Sequence, residues 1–149
     1  MRYLLDECLS DRTAKAMAVV GAPDEFVHIL DVAPPSTSDL DIPAICRDKS
    51  FGTLITVNVK DFGARKHIYE AVVDAGTNVL VLRRQKRQAT TYYWQVSLLA
   101  RHYLAYQRLF ETATEATLGS LSDGGVRAVT LAQIMAEIAD EEAGKRQMP

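Results

Sequence analysis

Carboxylates recur wherever this chain leaves an apolar run. Asp6 and Glu7 follow Tyr3-Leu4-Leu5, Asp39 and Asp41 lie in the stretch ahead of a predicted helix, and Asn58 and Asp61 follow Thr53-Leu54-Ile55-Thr56-Val57. A carboxylate at the end of a buried strand is costly to desolvate unless a cation or hydrogen-bond donors meet it. Several brought together cannot all stay ionised without a cation among them. Hard oxygen ligands without His or Cys select Mg²⁺ or Mn²⁺ over zinc. Such an ion keeps waters, lowers their pKa and stabilises the leaving oxygen when a phosphodiester is cut. The candidate metal ligands are therefore Asp6, Asp39, Asp41 and Asp61, with Asn58 as an uncharged fifth. Lys60, Arg65 and Lys66 lie close to Asp61, and Arg83, Arg84, Lys86 and Arg87 follow a later apolar run. Basic side chains so placed supply affinity for phosphates without sequence choice.

Plainer readings stand beside these. Asp6 also suits a strand end that receives backbone N–H bonds, Asp39 and Asp41 suit helix capping, and Asp61 suits a turn ahead of Phe62. The basic cluster after residue 82 equally suits a solvated loop or a docking site for an acidic partner. His28, His67 and His102 have no spacing that suggests a ligand set, and packing roles are expected of them.

The elements that must gather the acids alternate along the chain. Tyr3 to Leu5 reads as a buried strand, and Ser10 as the N-cap of a helix over Thr13 to Val20 that Gly21 closes. A second strand is expected over Phe26 to Val32, then a Pro/Ser/Thr/Asp loop, then a helix to about Lys49. Pro43 restricts the start of that helix, so Leu40 or Asp41 is the expected N-cap. Thr53 to Val57 reads as a central parallel strand, Arg65 to Ala75 as a helix ending at Gly76, and Asn78 to Leu82 as a further strand. Thr91 to Thr112 has no Gly or Pro and reads as one long helix. Its stripe of Tyr92, Val96, Leu99, Tyr103, Tyr106 and Phe110 suits the core or a homodimer contact, with base stacking as the alternative. A loop over Glu115 to Gly125, an edge strand over Val126 to Thr130 and a helix over Leu131 to Ala143 complete the chain. The alternation argues for an α/β fold whose parallel sheet carries helices on its faces, joined by right-handed crossovers. Ligands in such sheets gather at the carboxyl ends of the strands, where Asp6, Asn58 and Asp61 would lie.

At 149 residues and 48% hydrophobic content, the chain suits one domain burying roughly 70% of its unfolded surface. No apolar run approaches the ~20 residues of a membrane span, the start is acidic, and Cys8 and Cys46 show no paired spacing. A cytoplasmic protein with reduced thiols and no membrane partner is expected. A net charge of −2 gives no global sign of nucleic-acid binding, so such a function needs a local basic patch.

Three short motifs, in order between Met1 and about Arg83, resemble the short PIN-like proteins related to VapC-type toxin ribonucleases. They are Leu4-Leu5-Asp6-Glu7-Cys8-Leu9-Ser10, Ser38-Asp39-Leu40-Asp41-Ile42, and Leu54-Ile55-Thr56 ahead of Lys60-Asp61-Phe62. The resemblance implies a PIN-like three-layer α/β/α sandwich with a mainly parallel sheet, over a single domain spanning residues 1–149. It implies a metal-dependent endoribonuclease of a type II toxin–antitoxin system, with RNA as substrate, Mg²⁺ or Mn²⁺ as cofactor and a small antitoxin as partner. By position Asp6 resembles the first metal-binding acid, Asp39 or Asp41 the second, and Asp61 the last. The chain departs from the pattern at Cys8, where Asn is more usual, and between Thr56 and Asp61, where it is one residue longer. Residues 84–149 fall outside the resemblance. Two other readings stay open: a catalytically silent α/β binding or assembly module, and a receiver-like phosphoacceptor site.

Overall fold

The computed structural model describes residues 1–35, 37–57, 65–84 and 89–146, without the side chains of residues 39, 138, 141, 142, 145 and 146. Six strands form one sheet: β1 (Arg2–Leu5), β2 (Glu25–His28), β3 (Thr53–Val57), β4 (Asn78–Leu82), β5 (Leu118–Ser122) and β6 (Gly125–Val129), in the order β2-β1-β3-β4-β5-β6. Neighbouring strands are parallel except for the β5–β6 hairpin. The described residues also form six α-helices: α1 (Asp11–Val20), α2 (Ile42–Asp48), α3 (Lys66–Asp74), α4 (Tyr92–Arg101), α5 (Tyr103–Thr112) and α6 (Leu131–Arg146). The expected α/β fold with a mainly parallel sheet is therefore present. No described helix is long and apolar enough to cross a membrane.

Successive strand residues point to opposite sides of a sheet, and the buried side chains divide accordingly. Tyr3, Leu5, Ile55, Val57, Leu80, Leu82 and Leu121 pack with Met17 of α1, Leu98 and Leu99 of α4, and Tyr106 and Phe110 of α5. Leu4, Leu54, Val79, Val81 and Leu118 pack with Ile42 and Cys46 of α2, Ile68 and Val72 of α3, and Ile134 of α6. α3 thus carries β3 to β4 against the second cluster. α4 and α5 carry β4 to β5 in the same lateral direction against the first. These two crossovers have opposite hands, so uniform right-handedness does not hold. The β4–β5 connection runs from Arg83 to Thr117, long enough to loosen the coupling of strand twist to hand that a short crossover enforces.

The helix expected over 91–112 is two helices, broken at His102 (φ −108°, ψ 13°). The buried Tyr106 hydroxyl donates to the Leu99 carbonyl at 3.0 Å, which satisfies a backbone acceptor at the break. Leu99, Tyr103, Tyr106 and Phe110 of the stripe pack inside the chain, while Tyr92 and Val96 are half-buried. Tyr3 stacks on Phe26 at 4.6 Å and meets Tyr106 edge-on at 5.9 Å, while Tyr106 meets Tyr103 at 5.6 Å. Tyr103 also donates to Asp24, which accepts from Gln107 and from the Met1 ammonium as well. Burial alone would raise the Asp24 pKa, but these donors together hold it below the usual carboxylate value.

β5 replaces the expected loop over 115–125. Gly119 and two serines hide its strand character, and the glycine has a packing reason: a Cβ there would lie 3.1 Å from Phe110 Cζ. β2 is shorter than expected, and a 3₁₀ turn over Ile29–Asp31 follows it. The structure also begins α2 at Ile42 and ends α6 at Arg146.

α2 and α3 end in the same six-residue hydrogen-bonded cap with different residues. After α3, Gly76 (φ +94°) donates to Val73 and Thr77 to Val72; after α2, Ser50 (φ +58°) donates to Arg47 and Phe51 to Cys46. The left-handed conformation disfavours Ser but not Gly. Ser50→Gly is expected to raise stability by roughly 0.5–1 kcal/mol and Gly76→Ala to lower it by about 1 kcal/mol. Urea midpoints at an unchanged slope read both effects.

Candidate active site

The strand order places a crevice at the carboxyl ends of β1 and β3, because the chain leaves β1 toward β2 and then returns across it to β3. Asp6 lies there, 1% exposed. Its N–H continues the ladder by donating to the Ile55 carbonyl at 2.9 Å. Its carboxylate is met from three sides: Oδ1 accepts from the Glu7 N–H at 2.8 Å, and Oδ2 from the Thr56 hydroxyl at 3.1 Å. Arg65, just before α3, places Nη1 3.1 Å from Oδ2 and Nη2 3.5 Å from Oδ1. Such a two-pronged, charge-assisted pair fixes geometry as well as charge.

A chain of hydroxyls supports this carboxylate. Thr56 spends its one proton on Asp6, so Tyr69 Oη at 3.3 Å and Cys8 Sγ at 3.4 Å donate to the Thr56 oxygen. Both groups are held protonated. Burial pushes the Tyr69 phenol up, and burial followed by the nearby Asp6 charge pushes the Cys8 thiol up to about 11. The turn after Asp6 is pinned in its own way: Leu9 N–H returns to the Asp6 carbonyl, and the Leu9 carbonyl lies 2.7 Å from His28 Nε2. Because His28 Nδ1 accepts from the Leu30 N–H, Nε2 carries the ring proton and donates. His28 thus has the packing role expected of it.

The other candidates are placed less uniformly. Asp41 is exposed and precedes α2 without a side-chain capping bond, while Ser38 accepts from the Leu40 N–H and caps the 3₁₀ turn over Asp39–Asp41. Asp39 lies in that turn, and its side chain is outside the described set. Asn58, Lys60 and Asp61 lie outside the described residues, as do Lys86 and Arg87. Arg83 is 7% exposed, with Nη1 2.9 Å from Glu137 on α6, and Arg127 pairs with the same carboxylate. It therefore ties α6 to the end of β4, and Arg84 beside it is exposed. Among the described residues no three His, Cys, Asp or Glu side chains converge as a metal set.

The structure adds Thr56 and Tyr69 to the residues around Asp6 and makes Arg65 the carboxylate's partner. A polar Thr near the end of an otherwise apolar strand is a sequence signal for such a role. Tyr69 shows none, since its hydroxyl reaches Thr56 from a position that reads as helix core. Comparison of the chain with protein-family models, curated proteins and solved structures gives no match.

Cys8 reports on Asp6. With a thiol at about 11, alkylation by iodoacetamide at pH 8 is expected to run roughly two orders of magnitude slower than in the urea-unfolded chain. Asp6→Asn, which removes the nearby negative charge, is expected to accelerate it in protein that still melts cooperatively. Peptide mass mapping of Cys8 reads both rates.

Proposed function

We propose that this chain is a PIN-like, Mg²⁺- or Mn²⁺-dependent endoribonuclease with a three-layer α/β/α arrangement, acting as the toxin of a type II toxin–antitoxin pair. The observation that carries the reading is the buried carboxylate of Asp6 at the rim where the strand order reverses. Two sets of helices packed with alternating strand residues support the layered arrangement. The donor chemistry fits a hard divalent ion. Asp6 supplies oxygen, and no His or Cys ligand competes, since Cys8 is held as the thiol and His28 Nδ1 is occupied. Asp6 with Asp39 or Asp41 and Asp61 would hold the ion, with Asn58 as an uncharged ligand. A bound ion of this kind lowers the pKa of its water and stabilises the leaving oxygen.

The chain's own residues would divide the remaining work. Asp6 is held in one orientation by Thr56 and the Glu7 N–H. Arg65 stands 3.1 Å from it and would swing from the carboxylate to a substrate phosphate, which its guanidinium meets equally well. Lys60 and Arg84 would meet further phosphates, whereas Arg83 serves the fold through Glu137.

A second reading rests on the same pair. If Arg65 permanently takes the place of a metal, the site is a buried ion pair and the chain a silent binding module. Incubation of purified protein with defined RNAs separates the two. The nuclease reading expects cleavage in Mn²⁺ or Mg²⁺, abolished by EDTA and by Asp6→Asn or Asp61→Asn in folded protein. Asp61→Asn serves where loss of the Arg65 partner lowers stability, as breaking a buried pair commonly does by about 3–5 kcal/mol. No cleavage of any RNA under these conditions, with the pair intact, supports the silent module.

A further inference from the structure

Tyr93 is 76% exposed at the first turn of α4, and no core contact accounts for it. Its neighbour Tyr92 meets it edge-on at 5.3 Å, and the Arg12 guanidinium of α1 lies 4.5 Å from the centre of the Tyr92 ring. A cation over one face of Tyr92 fixes that ring and presents an arginine beside the exposed one. Hydrogen bonds join the starts of α1 and α4. Gln95 accepts from the Ser10 N–H at 3.0 Å and from the Thr13 hydroxyl at 2.6 Å. Ser10 is four residues from Asp6, a span of at most ~14 Å of chain.

We propose that Tyr93, beside Tyr92 and the Arg12 that covers it, is a stacking platform for an unpaired base of the RNA. The proposal rests on the nuclease reading for its substrate class but not for its measurement. Every base has a π-face, so an exposed tyrosine supplies affinity with little sequence choice, and an adjacent guanidinium adds phosphate contact. Charge favours this occupant over an apolar protein face, because the aromatic pair is bordered by Arg12 and α4 has no acidic residue in its first turn.

The test is fluorescence anisotropy of labelled hexauridine and hexaadenosine with the full chain in EDTA, followed by cleavage kinetics in Mn²⁺. Tyr93→Ala is expected to weaken binding of both hexamers about tenfold, within the range measured for loss of one stacked base. Tyr93→Phe is expected to bind like the parent. Arg12→Ala is expected to weaken binding and reduce the salt slope by about 0.7. In cleavage, Tyr93→Ala is expected to act mainly through KM. Binding of Tyr93→Ala within twofold of the parent, or no binding of either hexamer by the parent, overturns the platform. Loss of binding in Tyr93→Ala from a chain that cuts nothing keeps the platform and removes the nuclease. Cleavage with an unchanged KM in Tyr93→Ala does the reverse.

Discussion

The charge of Asp6 is buried at the end of β1 and has to be met from inside the protein. Three elements meet it: the turn that follows β1, the end of β3 through Thr56, and the residue before α3 through Arg65. An unpartnered carboxylate in this position would be strongly destabilising. The pairing therefore constrains where β1, β3 and α3 sit relative to one another, and it fixes the crevice at the rim. In the proposed nuclease the same carboxylate would have to serve a metal ion in place of Arg65.

Much of the sheet was legible because the physics that makes it is local. Five-residue runs such as Thr53–Val57 and Asn78–Leu82 are buried at every position, the mark of a strand covered on both sides. Ser10 caps α1 as its type prefers, whereas Gly21 closes it at φ −94° and is glycine because a Cβ there would lie 2.5 Å from the Phe26 ring. β5 was not legible: its glycine answers to a ring on α5, a contact more local reading cannot see. The break at His102 is hidden for the same reason, because nothing in the residues between Thr91 and Thr112 breaks a helix by propensity, and it is the packing of Tyr106 against Leu99 that fits the two halves together.

The site was half legible. An acid directly after a buried strand is a readable signal, and Asp6 stands where that signal puts it. Its partner was not readable. Arg65 lies 59 residues away and resembles any surface arginine near a loop, and nothing local to Arg83 announces that Glu137 meets it. Asp41 shows the opposite limit: a capping-type residue at a helix start whose side chain makes no cap, because Ser38 holds the preceding turn. Residue type announces what a group can do, whereas its partner, set by long-range packing, decides what it does.

The proposed chemistry requires Asp6 to exchange its arginine for a divalent ion. Calorimetric titration of Mn²⁺ into the metal-free chain, and into Asp6→Asn shown to be folded by circular dichroism, tests this without reference to any substrate. Such an exchange predicts one Mn²⁺ per parent chain and loss of that binding in the variant. Equal titrations for the two proteins, or no binding to the parent, would contradict it.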